Sequence, residues 1–201
     1  MTIVGITGPT GAGKTTALNE LKKLGGCILD ADAVYHQLLE SSNALREELE
    51  NRFGPLVDET GRFDRKKLGA VVFKDPDALA DLNAIAHRYV VAAIQERLAV
   101  EEQNGCPAAA VDAIALFESG LSDLCQATLA ITAPPQIRAR RIMAREGISE
   151  EYAWSRVNAQ HPDEFYTRRC DYTLVNDCTS AEEFAARARD LFVSILHKNA
   201  Q

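Results

Sequence analysis

The octapeptide Gly8-Pro9-Thr10-Gly11-Ala12-Gly13-Lys14-Thr15 restricts the fold more than any other segment of this chain. It matches G-x-x-x-x-G-K-[ST] without a gap, a spacing whose glycines let successive backbone N–H groups turn toward one anion. The residues before it, Thr2 to Thr7, are short, apolar and β-branched, as a buried strand requires. The residues after it, Thr15 to Leu24, read as a helix that stops at Gly25-Gly26. The dipole of that helix would point at the same anion. Cys27-Ile28-Leu29 then reads as a second strand ending on Asp30. Strand, loop, helix and strand within about 30 residues form the βαβ unit of a parallel sheet.

From Ala33 to about Asn104 the apolar period turns helical. Val34, Leu38 and Leu39 share one face; Leu79, Leu82, Ile85, Ala86, Tyr89, Val90 and Ile94 stripe another. Asp58-Glu59-Thr60-Gly61 reads as a turn, and Asp75-Pro76-Asp77 as a helix start with proline in its first turn. Asn104-Gly105-Cys106-Pro107 breaks the pattern. Ala109 to Ala115 and Leu129 to Thr132 are the third and fourth predicted strands. Pro134-Pro135 opens a strongly basic helix, Ile148 to Gln160 a polar one, Tyr172 to Val175 is a last strand, and Ala181 to Leu196 a final amphipathic helix. The expected architecture is α/β: a three-layer α/β/α P-loop NTPase fold with a parallel sheet, a helical insertion and a small helical lid. Its core would comprise residues 1–32, 106–138 and 170–201, with the insertion at 33–105 and the lid at 139–169.

Composition narrows the function classes. Lys and Arg number 22 against 29 Asp and Glu, a net charge of −7 that argues against a broad nucleic-acid surface. No apolar run approaches the ~20 residues of a membrane-spanning helix. The opening residues lack the basic region and apolar core of a secretion signal. Five scattered cysteines without a CxxC pair read as reduced thiols. Together these predict a cytoplasmic protein acting on a small molecule, with no membrane, nucleic-acid or obligate protein partner indicated.

The loop carries the first chemical expectation. Backbone amides from Gly11, Ala12, Gly13, Lys14, Thr15 and Thr16 would cradle the phosphates of ATP, Lys14 would meet the β and γ charge, and the Thr15 hydroxyl would sit on Mg²⁺. The chain has no Asn-Lys-x-Asp segment of the kind that reads a guanine base. Arginines between Arg138 and Arg145 instead suit a lid that neutralises a transferring phosphoryl group. Arg141 and Arg145 stand four apart and share a helical face, whereas Arg138 and Arg140 read as solvated helix charges.

Carboxylates at strand ends are the second expectation, because open parallel sheets bind ligands there. Asp30 and Asp32 can each cap or charge the start of the next helix, or can handle a proton or a hydrated Mg²⁺. Asp112 is either a metal partner or a strand-end aspartate, and Glu118 either a helix cap or a site residue. His87, among Ile85, Tyr89, Val90 and Val91, reads as a packed or surface histidine. A small kinase fits these features; a regulatory module that binds ATP without turnover is the non-enzymatic alternative.

Taken in order, the motifs resemble the dephospho-CoA kinase family. They are the N-terminal phosphate loop, Asp30-Ala31-Asp32, Leu82-Asn83-Ala84-Ile85-Ala86-His87 and Leu116-Phe117-Glu118. Arg141-Ile142-Met143-Ala144-Arg145, Arg156-Val157-Asn158-Ala159-Gln160 and Asp171-Tyr172-Thr173-Leu174-Val175-Asn176 follow, so the likeness runs from Val4 to about Leu196. It implies ATP-dependent phosphorylation of the ribose 3′-hydroxyl of dephospho-CoA. It further implies Asp32 at the acceptor hydroxyl, His87 and Glu118 as substrate contacts, Asn176 near the adenine, and residues 33–105 as the acceptor subdomain. The alternative is another small-metabolite or nucleoside monophosphate kinase. Departures from the family pattern are Pro9, Ala12 and Thr15 in the loop, Arg88 after His87, and Ile114-Ala115 before Leu116-Phe117-Glu118.

Overall fold

A computed structural model describes residues 1–59 and 62–199. Of the predicted turn Asp58-Glu59-Thr60-Gly61, Thr60 and Gly61 lie outside the described residues. In chain order the elements are β1 (Thr2–Thr7), α1 (Lys14–Lys23), β2 (Cys27–Asp30), α2 (Ala31–Ser41), α3 (Asn43–Phe53), α4 (Arg65–Val72), α5 (Pro76–Gln103) and β3 (Ala108–Asp112). A 3-10 turn (Leu121–Leu124) leads to β4 (Ala127–Thr132), α6 (Pro135–Glu146), α7 (Glu150–Asn158), α8 (Asp163–Thr167), β5 (Tyr172–Val175) and α9 (Ala181–Asn199).

The five strands are all parallel, in the order β2-β3-β1-β4-β5. Period-two alternation sorts their side chains between two cores. Val4, Ile6, Leu129 and Ile131 pack with Leu21 of α1 and with Phe184 and Phe192 of α9. Ala109 and Val111 face the other way, against Val90, Ile94 and Leu98 of α5. Each of these large side chains contributes about 1.5–3 kcal/mol by leaving water. Helices therefore cover both faces, as the three-layer expectation requires.

β4 begins at Ala127, ahead of the expected Leu129, and α9 runs to Asn199, past Leu196; two further boundaries differ for visible reasons. β3 ends at Asp112 instead of Ala115, because Ala113 N–H to Ile6 O is the last rung before β1 bends into the loop. α7 begins at Glu150 behind Gly147, whose φ of +66° ends α6, and the Ser149 hydroxyl accepts the Tyr152 N–H as its cap.

α2, α3, α4 and the amino half of α5 form a helical lobe around a core of Leu39, Leu45, Leu49, Leu56, Leu68 and Ile85. α5 joins that lobe to the sheet: Ala78 and Ile85 pack inside it, and Val90, Ile94 and Leu98 cover β3. α6 and α7 pair over Ala139, Ile142, Ala153 and Val157, a small core of their own. Among the described residues no helix is long and apolar enough to cross a membrane.

Candidate active site

The loop between β1 and α1 is shaped by two glycines that no other residue could replace without strain. Gly8 has φ +138°, and a Cβ there would lie 2.0 Å from the Ile131 carbonyl oxygen. Gly13 has φ +106°, and a Cβ there would lie 2.3 Å from Asn176 Nδ2. Of the three departures in the loop, Pro9 and Ala12 are buried and Thr15 is exposed. Among the described residues, no protein acceptor takes the N–H groups of Gly11, Gly13, Lys14 or Thr15. Four unpaired donors at a helix start form an anion cradle. Lys14 Nζ donates to the Gly8 carbonyl at 2.8 Å. Burial lowers its pKa, while the charges of Asp112, Asp32 and Asp30 raise it again.

Beside the loop lies a cleft of about 220 Å³ whose lining includes Lys14, Thr15, Asp112, Arg141 and Arg145. Sheet order explains Asp112: β3 sits between β2 and β1, so Asp112 pairs in register with Asp30 on one side and Ile6 on the other. Burial lifts its carboxyl to about 6, against the pull of Lys14, with Asp30 and Asp32 adding to the rise. Its Oδ1 is buried without a hydrogen-bond partner. An all-oxygen pair of Asp112 and the Thr15 hydroxyl suits a hard cation such as Mg²⁺.

Asp30 and Asp32 have separate environments. Asp30 Oδ1 accepts the Ala33 N–H at 3.0 Å and caps α2. Asp32, in the first turn, is exposed at the rim of a second hollow of about 230 Å³. Tyr35, Leu82, Asn83, His87 and Val90 line that hollow too, as does Ile114. His87 is half-buried, and burial lowers its pKa against the opposing pull of Glu118. Glu118 is ion-paired with Arg169. The Arg169 guanidinium lies 4.4 Å from the Phe117 ring centroid and 5.0 Å from that of Phe165. Arg88 projects away toward Glu48.

The lid arginines divide differently from expectation. Arg138 is not a solvated charge: it is 3 % exposed. Its Nε donates to Thr10 O at 3.1 Å, Nη2 donates to Gln160 Oε1 at 2.7 Å, and Nη1 lies 3.6 Å from Asp163 Oδ1. Burial is tolerated because these acceptors replace water around the guanidinium. Arg140 is exposed, as expected. Arg141 donates to the Gly11 and Ala12 carbonyls at 3.3 and 3.4 Å and to Asn176 Oδ1 at 3.0 Å. Arg145 is exposed at the cleft and paired with Glu146 at 2.7 Å. Asn176 is buried, its Nδ2 donating to Ala12 O at 2.8 Å. It walls a third hollow of about 280 Å³ with Gly13, Thr16 and Phe184.

Gln160, Arg138 and Arg169 were not assigned site roles from sequence. Arg138, Arg141 and Arg145 recur at i, i+3 and i+7, a spacing that marks one helical stripe and was available to find the first. A larger hollow of about 770 Å³, among Arg46, Arg62 and Arg65 in the helical lobe, shares no lining residue with the phosphate loop.

A parallel sheet, a strand-to-helix phosphate loop and arginines closing on it define a P-loop kinase fold and its nucleotide site. The dephospho-CoA kinase family model matches residues 2–182. A dephospho-CoA kinase of Corynebacterium diphtheriae is 33 % identical over 193 residues, covering 96 % of both chains. A solved structure from Thermus thermophilus superposes with TM-score 0.81 at 35 % identity, covering 97 % of each chain. The dephospho-CoA kinase of Campylobacter jejuni gives 0.71 at 26 % identity, covering 98 % of each. This chain belongs to the dephospho-CoA kinase family, a family of transferases.

Proposed function

We propose that this chain transfers the γ-phosphoryl group of ATP to the ribose 3′-hydroxyl of dephospho-CoA, releasing ADP and coenzyme A. The observation that carries this reading is the placement of Asp32. It stands at the rim of the apolar hollow and is close enough to Lys14 and Asp112 for its charge to act on both. An acceptor seated in that hollow would meet the phosphate cleft at this carboxylate.

The free amides of Gly11, Gly13, Lys14 and Thr15 hold the ATP phosphates, and Lys14 leaves the Gly8 carbonyl to meet β/γ charge. The hollow beside Asn176 receives the adenosine. Asn176 itself contributes a wall, since its carboxamide is engaged by Ala12 and Arg141. Arg145, exposed and among the described residues tied only to neighbouring Glu146, turns onto the transferring group; Arg141 stays on the loop and presents the rest of its guanidinium. Thr15 and Asp112 would hold Mg²⁺, which supplies charge neutralisation across the phosphates. Asp32 orients the acceptor hydroxyl and takes its proton. Tyr35, Asn83 and His87 shape the acceptor hollow, and Glu118 reaches it through His87. The free thiols suit a reducing cytoplasm, and the substrates are small molecules, with no protein partner required.

ADP release measured with dephospho-CoA, AMP, CMP, UMP and shikimate in parallel tests the assignment. Turnover is expected with dephospho-CoA above all the others. Preference for a nucleoside monophosphate would overturn the acceptor, and ATP binding without acceptor-dependent release would overturn catalysis.

A further inference from the structure

At the amino end of the sheet, opposite the phosphate loop, Cys27, Glu101 and Cys106 bring two thiol sulfurs and a carboxylate oxygen within 4.8 Å of one another. The backbone puts them there. Where α5 stops, Gly105 takes φ +78°, its N–H reaches Glu102 O, and Cys106 N–H reaches Glu101 O, both at 3.0 Å. This is a Schellman end, in which the residue after the glycine lies over the residue five before it. That contact usually joins two apolar side chains; here it joins Cys106 to Glu101. α1 ends the same way, with Gly25 N–H on Lys22 O and Gly26 N–H on Leu21 O, and this turn delivers Cys27 at the first position of β2. Cys27 pairs in register with Ala109, so β3 holds it beside the loop that carries Cys106.

The geometry points to a site for a thiophilic divalent cation of the Zn²⁺ class, ligated by Cys27 Sγ, Cys106 Sγ and a Glu101 carboxylate oxygen. Tetrahedral Zn²⁺, with bonds of about 2.3 Å to sulfur and 2.1 Å to oxygen, wants its donors about 3.5–3.8 Å apart. Small side-chain rotations close the cluster to that size, and all three residues are half-buried, which leaves a way in. The cation displaces one proton from each thiol, so two thiolates and one carboxylate face a divalent charge, with water as the fourth ligand. Bound there, it would clip the ends of α5 and α1 to the sheet edge without touching the phosphate cleft. Cys125, Cys170 and Cys178 belong to no such cluster among the described residues.

The whole protein, stripped of metal and kept reduced with a phosphine, is titrated with Cd²⁺ and with Co²⁺. Sulfur-to-metal charge-transfer absorption is expected to saturate at about one equivalent. Cys27→Ser and Cys106→Ser should each abolish the saturable band, and Glu101→Gln should weaken binding by about tenfold. Zn²⁺ should raise the thermal midpoint of the wild type and leave that of Cys27→Ser unmoved. All variants are checked for wild-type circular dichroism. A Cys27→Ser/Cys106→Ser double variant that binds as the wild type does would assign the absorption to the other thiols and overturn the site. So would a wild type that develops no saturable band.

Discussion

Gln160 grips Thr10 with both ends of its carboxamide: Oε1 accepts the Thr10 N–H at 2.9 Å, and Nε2 donates to the Thr10 hydroxyl at 2.9 Å. The same Oε1 also accepts Arg138 Nη2. The base of the lid thus fixes the middle of the phosphate loop. Gln160→Leu should strand the Thr10 N–H and the buried Nη2 of Arg138, costing about 1–3 kcal/mol of stability and raising KM for ATP. Gln160→Glu keeps the acceptor and should lose less of both. Thermal melts and ATP titrations decide this; a Gln160→Leu enzyme with wild-type midpoint and KM would show that the grip does not position the loop.

Arginine-to-lysine exchanges at three positions should give three different results. Arg145→Lys should lower kcat on the order of 10²-fold at unchanged stability, because an ammonium cannot give a two-pronged contact to phosphate. Arg140→Lys should be silent. Arg138→Lys should lower the thermal midpoint, since it loses the Nε bond to Thr10 O in a buried setting. Equal, small effects at all three would remove Arg145 from the mechanism.

The two aspartates at the end of β2 should separate by assay. Asp32→Asn should cut kcat by roughly 10²–10⁴ at saturating dephospho-CoA, with no change in melting. Asp30→Asn preserves the cap on α2 and should keep stability, whereas Asp30→Ala should lose about 1 kcal/mol. Normal turnover in Asp32→Asn with a collapse in Asp30→Asn would transfer the proton-handling role to Asp30.

Asp112 makes stability depend on pH in an unusual direction. Its folded carboxyl titrates at about 6, above the ordinary 3.8, so the folded state holds this proton more tightly than the unfolded chain does. The stability this confers is full below the ordinary pKa and is lost as pH rises through about 6. At about pH 7.5 the ionised group therefore penalises the ligand-free enzyme by on the order of 1–3 kcal/mol, with its attraction to Lys14 already counted in that figure. Asp112→Asn should melt higher than wild type at about pH 7.5, with the gain fading toward about pH 4.5, and should lose activity. A stability difference independent of pH would rule out titration of Asp112 as its source.

The legible parts were those whose cause is local. Gly8 to Thr15 announced a loop because phosphate binding dictates its spacing. Asp75 and Pro76 marked the start of α5, and the last strand runs from Tyr172 to Val175 as read. What escaped depends on partners far along the chain. Nothing near Arg138 reveals that Thr10 and Gln160 bury it, at separations of 128 and 22 residues. Likewise Arg169 lies over the Phe117 ring only because the fold returns the chain there after α8. A helical pattern identifies which residues share a stripe, but not what that stripe meets.

The long helix α5 limits how this enzyme can be taken apart. Its 28 residues, rising about 1.5 Å each, span roughly 42 Å, and the two halves serve different cores. Residues 33–105 look in sequence like an insert that could be exchanged for another acceptor-binding module. Cutting them out would also peel Val90, Ile94 and Leu98 from the sheet and leave Ala109 and Val111 facing water. A chimera that changes acceptor choice must therefore graft only the amino half, keeping the helix from about Val90 onward as native scaffold.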